Sequence, residues 1–76
     1  MEKAIKYYKR ALAINHEIGN RRGEGYDFWN LGYAYNSQGQ VKKAKEYCQR
    51  AVAIFEEIKS PDAEEVRRYL ESLDEE

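Results

Sequence analysis

Residues 2–18 read EKAIKYYKRALAINHEI, and residues 42–58 read KKAKEYCQRAVAIFEEI. Laid over one another at an offset of 40, the two stretches agree at nine of 17 positions: Lys3/Lys43, Ala4/Ala44, Tyr7/Tyr47, Arg10/Arg50, Ala11/Ala51, Ala13/Ala53, Ile14/Ile54, Glu17/Glu57 and Ile18/Ile58. Self-similarity at a period of this size marks helical arrays, in which each unit buries its apolar face on its neighbours. In the second copy Val41, Ala44, Cys48, Ala51, Val52, Phe55 and Ile58 recur at spacings of three and four, which puts them on one side of a helix. Ala4, Tyr8, Ala11, Leu12 and Ile18 do the same in the first, with Ile14 beside the stripe. Neither run contains the Pro or Gly that would interrupt it.

Working outward from the two copies, Gly19-Asn20 predicts a helix stop, because both residues tolerate the left-handed conformation at a C-terminus. Arg21 to Gly25 reads as a short loop or a frayed first turn. Tyr26 to Gln38 reads as an aromatic-rich helix ended by Gly39, with a tight turn through Gln40. Connections this short make neighbouring helices antiparallel. A fourth helix opens at Ser60-Pro61-Asp62. Ser60 is suited to the N-cap, Pro61 loses no needed N–H, and Asp62 complements the positive helix end. Ala63, Val66, Tyr69, Leu70 and Leu73 form its apolar stripe, and Glu64, Glu65, Arg67, Arg68 and Glu71 its polar back. This last helix therefore reads as a polar-backed cap, and the Asp74-Glu75-Glu76 tail is expected to fray. Strict alternation is absent, so the fold class is all-α: four helices in antiparallel helix-turn-helix repeats.

The composition bounds the function. Among 76 residues there are 13 basic and 14 acidic side chains, for a net charge of −1. That balance argues against a nucleic-acid binder, which carries a basic excess. The distribution is uneven: residues 1–22 sum to +4, 23–59 to zero and 60–76 to −5. A lone cysteine, Cys48, makes no internal disulfide. No apolar run approaches the roughly 18–20 residues needed to cross a bilayer, and Met1 leads directly into a charged amphipathic segment rather than a secretory signal. The expectation is a soluble, cytoplasmic protein without a membrane partner.

The stretch Asn30-Leu31-Gly32-Tyr33-Ala34-Tyr35, followed by Gly39, Ala44, Tyr47-Cys48 and Ala51, resembles the tetratricopeptide repeat signature. In that signature an aromatic residue, Leu-Gly, Tyr and two small Ala lock a helix pair. Phe28 stands where the family usually has Trp, with Trp29 after it. Cys48 stands where a larger aromatic is usual, a slot that Tyr8 fills in the first copy. The 40-residue spacing exceeds the common 34, and with residues 17–25 it is similar to the longer repeats of Pins-type polarity scaffolds and kinesin light chains. The resemblance covers residues 2–58 well and 60–76 weakly. It implies a protein- or peptide-binding module and no enzyme. Physically, Gly32, Ala44 and Ala51 are small where two helices approach closely.

Phe28, Leu31, Gly32 and Tyr35 are expected to face into the helix pair. Tyr26, Trp29, Asn30, Tyr33, Asn36 and Ser37 point elsewhere, onto the face that lines the concave groove in such families. Tyr and Trp offer large, stiff contact area, and an Asn amide both donates to and accepts from a peptide backbone. The candidate partner-binding residues are Asn30, Tyr33, Trp29, Asn36 and Tyr26, in that order; the resemblance implies the role most directly for Asn30. Packing between repeats is the competing reading for Trp29, and a solvated face for Asn30 and Asn36. Carboxylate-clamp members use a basic pair on this face, which Trp29 and Tyr33 replace here.

No other constellation carries chemistry. His16, the only histidine, and Cys48 are 32 residues apart and match no metal-ligand spacing; His16 is expected to face solvent and Cys48 to be a buried structural thiol. Gly19, Gly23 and Gly25 near Arg21 and Arg22 lack the preceding strand and the Lys-Ser/Thr of a phosphate loop. The basic run Lys3, Lys6, Lys9 and Arg10 reads as a solvated face, or one that meets an acidic partner. No cofactor, metal site or catalytic residue is expected.

The reading is a single domain over 1–76: residues 2–18 as the second helix of a partial repeat, 25–59 as one complete helix pair and 60–74 as a capping helix. The open side of the first helix is expected to expose Tyr7, Tyr8, Ile5, Leu12 or Ile14. That face suits either a longer array or self-association through residues 1–18, with the −5 end of one copy meeting the +4 end of another.

Overall fold

The computed structural model describes residues 2–74 and contains four α-helices: α1 (Glu2–Glu17), α2 (Arg21–Ser37), α3 (Val41–Glu57) and α4 (Asp62–Asp74). No strand occurs among the described residues. Each helix packs chiefly on its neighbour in sequence. The Cα atoms span 36 × 29 × 13 Å. The thin dimension is that of two helix layers, since axes about 9 Å apart plus a Cα radius of about 2.3 Å on each side give nearly the same thickness.

Three turns set this arrangement, and they are alike. Gly19, Gly39 and Lys59 adopt φ of 75°, 79° and 57°. In each turn the left-handed residue donates its N–H to the carbonyl three residues back, and the residue after it donates to the carbonyl five back: Asn20 to Asn15 at 2.8 Å, Gln40 to Tyr35 at 2.9 Å and Ser60 to Phe55 at 2.8 Å. This is the Schellman closure, which satisfies the orphan carbonyls at a helix end. The three left-handed residues fall 20 positions apart, so α2 and α3, each with its turn, occupy the same length of chain.

α2 begins at Arg21, before the expected Tyr26: of the two readings of Arg21–Gly25, a short loop or a frayed first turn, the structure has the helical turn, and it is capped rather than frayed. The cause is local. Asn20 caps the helix by accepting from the Gly23 N–H at 3.0 Å, and Glu24, buried with Gly25, faces inward. α4 starts as read: the Ser60 Oγ accepts from the Asp62 N–H at 3.2 Å. Glu75 and Glu76, placed in the expected frayed tail, lie outside the described residues.

Two adjoining clusters make the core. Ile5, Leu31, Ala34, Tyr35, Ala44 and Leu73 form one, with Tyr8, Leu12, Val41, Tyr47 and Tyr69 packed against it. Cys48, Ala51, Phe55, Ala63 and Val66 form the other, with Phe28, Trp29, Val52, Ile58 and Leu70 around it. Ile5 is therefore buried, not exposed, because residues 5, 8 and 12 form the α1 stripe that faces α2; Tyr8 and Leu12 are half-buried on the same contact. Tyr7 and Ile14 do stay open, at 67% and 59% exposure; Ile18, read as part of the α1 stripe, is open too, because α1 ends at Glu17 and Ile18 lies in the turn beyond it.

Candidate functional site

Residues 26, 29, 30, 33, 36 and 37 recur at three- and four-residue steps and share one face of α2. Tyr26 and Tyr33 are exposed, whereas Trp29, Asn30 and Asn36 are half-buried. Their rings run in a line. Tyr26 stacks on Trp29 with centroids 6.3 Å apart, Trp29 meets Tyr33 at 6.5 Å, and Tyr33 stacks on Tyr69 of α4 at 4.3 Å.

The five candidates are not equally available. The Tyr26 hydroxyl donates to Asp62 Oδ2 at 2.5 Å, which ties it to the start of α4. That hydrogen bond, with partial burial, holds the phenol above its ordinary pKa. Trp29 sits edge-on to Phe55 at 6.3 Å and 80°, so packing between helices takes much of its surface. Its Nε1 is buried with no hydrogen-bond partner among the described residues. The amides of Asn30 and Asn36 make no side-chain hydrogen bond among the described residues, and Tyr33 is 49% exposed. The groups on this face without a hydrogen-bond partner among the described residues are thus the Asn30 and Asn36 amides, with the half-exposed Tyr33 between them and Tyr26 and Trp29 alongside.

Tyr69 belongs to this surface and was missed when α4 was read as a polar-backed cap. A signal existed, because the 40-residue offset lays Trp29 on Tyr69. The inward residues fall as read: Leu31 and Tyr35 are buried, Tyr35 lies parallel to Tyr47 at 5.3 Å, and Phe28 stacks on Tyr47 at 6.0 Å.

A polar network closes the end of the bundle where α2 begins. Arg21 Nε and Nη2 donate to the two oxygens of Glu57 at 3.1 and 3.0 Å, and Nη1 donates to Glu24 at 3.1 Å. The pair holds the exposed Glu57 carboxyl below its ordinary range. His16 is open to solvent, yet its Nδ1 lies 3.0 Å from the other oxygen of Glu24. Asn15 donates to Asp27 at 2.7 Å, while burial pushes the Asp27 carboxyl up. These carboxylates, on α2 and α3, are engaged by donors from α1 and α2, so they fasten helices together rather than face a cleft. Reading Arg21–Gly25 as a short loop or a frayed first turn gave no sign of them.

Cys48 is fully buried, and burial pushes its thiol up to about 11. A thiol that stays protonated is a poor nucleophile. No group of three or more His, Cys, Asp or Glu among the described residues could hold a metal ion. No helix among them is long and apolar enough to cross a membrane.

Against known proteins, residues 1–57 match the family model described as tetratricopeptide repeat. The chain belongs to the tetratricopeptide repeat family. No curated protein and no solved structure gives a significant match. The tetratricopeptide fold accounts for the packing just described: α2 and α3 form a helix pair locked by Leu31-Gly32, Ala44 and Ala51. A methyl built on Gly32 would lie 2.5 Å from Cys48 Sγ and 3.2 Å from the Ala44 carbonyl oxygen, so only glycine lets the two helices approach this closely. Membership makes the chain a protein-interaction repeat module, of a kind that is typically not enzymatic.

Proposed function

We propose that the exposed face of α2 binds an extended peptide or partner helix. Asn30, Tyr33 and Asn36 make the specific contacts, and Trp29 and Tyr26 form the wall. The observation that carries this reading is the pairing of two half-buried, unengaged amides with a half-exposed tyrosine between them. An amide in that setting answers a peptide N–H or C=O, and a tyrosine ring covers apolar surface at little entropic cost. The likeness of Asn30-Leu31-Gly32 to the long-period repeats adds to the case for Asn30.

Candidate partners captured on the immobilised chain test the proposal. The double variant Asn30→Ala/Tyr33→Ala is expected to weaken their binding by about thirtyfold or more, the loss of a hot spot worth about 2 kcal/mol. The helical circular dichroism should be unchanged, since neither side chain is in the core. Full binding by a folded double variant would refute the assignment.

A second reading is favoured by the exposed Tyr7, Ile14 and Ile18 of the α1 region: a self-association surface over residues 1–18. Light scattering at high protein concentration should then give a mass above the monomer. The triple substitution Tyr7→Ser/Ile14→Ser/Ile18→Ser should return it to 9.0 kDa. A monomeric wild-type chain, in low and high salt alike, removes this reading.

A further inference from the structure

A cleft of about 380 Å³ lies away from the aromatic face, between the start of α1 and the α2–α3 turn, lined by Glu2, Ile5, Lys6, Lys9, Tyr35, Gln38 and Gln40. Its floor is apolar and held still. Ile5 is buried, Tyr35 is 5% exposed, and the Tyr35 ring is pinned parallel to Tyr47. Its rim is mainly cationic, with Glu2 the one carboxylate in the lining and Lys43 standing beside the lining. Lys9 Nζ and Lys43 Nζ stand 5.8 and 5.2 Å from the Tyr35 ring centroid, one from α1 and one from α3, and Lys6 lies a turn from Lys9.

None of Lys6, Lys9 and Lys43 forms an ion pair among the described residues. Other basic residues of the chain do: Arg21 engages Glu57, Lys45 engages Asp74 and Arg67 engages Glu56. Like charges one helical turn apart repel, so these ammoniums leave a concentrated positive field over an apolar floor. Contact with the Tyr35 side chain raises the Lys9 pKa above its ordinary value. Two amides complete the rim: Gln40 Nε2 donates to Gln38 Oε1 at 2.9 Å, which leaves the Gln38 amine and the Gln40 carbonyl for a backbone.

The geometry points to a second binding site, for an acidic peptide segment whose Asp or Glu carboxylates meet Lys6, Lys9 and Lys43 while an apolar side chain rests on Ile5 and Tyr35. The lining favours this over a phosphate group. It contains no arginine, whose planar fork suits phosphate, and a free phosphate has no use for an apolar floor. The cleft is at the low end of the size of small-ligand sites, room for one or two side chains of a peptide passing over it. The site is independent of the α2 face.

Fluorescence anisotropy on the full chain tests it, with a fluorescein-labelled Glu-Glu-Leu-Glu-Glu-Leu peptide as probe and its Gln-for-Glu counterpart as control. The acidic peptide is expected to bind, weakening as salt screens the charges, and the neutral one to bind at least tenfold less tightly. Lys6→Gln/Lys9→Gln/Lys43→Gln should weaken the acidic peptide by at least tenfold. Arg22→Gln/Lys59→Gln/Arg68→Gln removes the same charge elsewhere and should change it less than twofold. All six side chains are exposed, and circular dichroism confirms that both variants fold. Asn30→Ala/Tyr33→Ala should leave peptide binding intact. Absent binding, or equal weakening by the two triple variants, overturns the proposal. So does displacement by equimolar inorganic phosphate, which would make this a small-anion site. Displacement of the peptide by a sedimenting dimer, lost in the pocket variant, would make the occupant a second copy and also overturn it.

Discussion

Phe55→Ala is expected to leave the chain largely unfolded at 25 °C. Phe55 is the largest fully buried side chain, and it holds three helices. Its ring lies 5.2 Å from Tyr26 and 6.3 Å from Trp29, edge-on to both, and it packs among Ala63 and Val66 of α4. It also fills the space that Gly25 leaves, where a methyl would come within 2.7 Å of the ring. Truncating such a residue costs about 3–5 kcal/mol through lost burial and the cavity left behind. A core in a domain this small supplies only about 3–5 kcal/mol in total. Thermal denaturation followed at 222 nm should show the midpoint lowered by at least about 12 °C, at 4 °C or more per kcal/mol. A midpoint within a few degrees of wild type would mean that Phe55 is not the keystone between α2, α3 and α4.

Gly32→Ala gives the second large effect, and its sign runs against helix propensity. In a free helix the change would stabilise by about 1 kcal/mol. Here the new methyl would meet Cys48 Sγ at 2.5 Å and the Ala44 carbonyl at 3.2 Å. Cys48 is fully buried and cannot swing clear, and a backbone carbonyl moves only with its helix. α2 and α3 must separate, at an overpacking cost of typically 1–3 kcal/mol that outweighs the propensity gain. Urea denaturation should show net destabilisation. Adding Cys48→Ala should recover part of the loss, because it removes the nearer obstacle, while Cys48→Ala alone should destabilise. A stabilised Gly32→Ala, or no coupling in the double-mutant cycle, would refute the close-approach account.

The self-match between residues 2–18 and 42–58 was enough for two of the helices and, Ile18 apart, their inward stripes, since an apolar period of three and four marks one helix face. Gly19 and Gly39 marked their turns for the same reason: the left-handed conformation selects glycine. Lys59 carries no such mark, and its turn was legible only from the Ser60-Pro61-Asp62 start that follows. The first turn of α2 was left open between a loop and a frayed turn because Gly23 and Gly25 weaken a helix, while its stabilising partners, Asn15, His16 and Glu57, come from other helices. The α2 face itself was legible by spacing. How α4 docks along it was not, because the Tyr33–Tyr69 stack and the Tyr26–Asp62 hydrogen bond join residues 36 positions apart. Ile5 was misplaced because its counterpart in the second copy is Lys45, so the comparison that found the repeat concealed that contact.

The equal turns carry an architectural consequence. A unit of 20 residues reverses the direction of the chain, and a unit of 40 restores both direction and face. A 40-residue insert at any of the three turns would therefore join as another course in the same wall, each Schellman corner receiving the incoming helix as it receives the present one. A 20-residue insert would point every later helix the wrong way and bring an α3-type surface where an α2-type surface belongs. Length itself is thus a structural specification in this chain, one that no single side chain encodes.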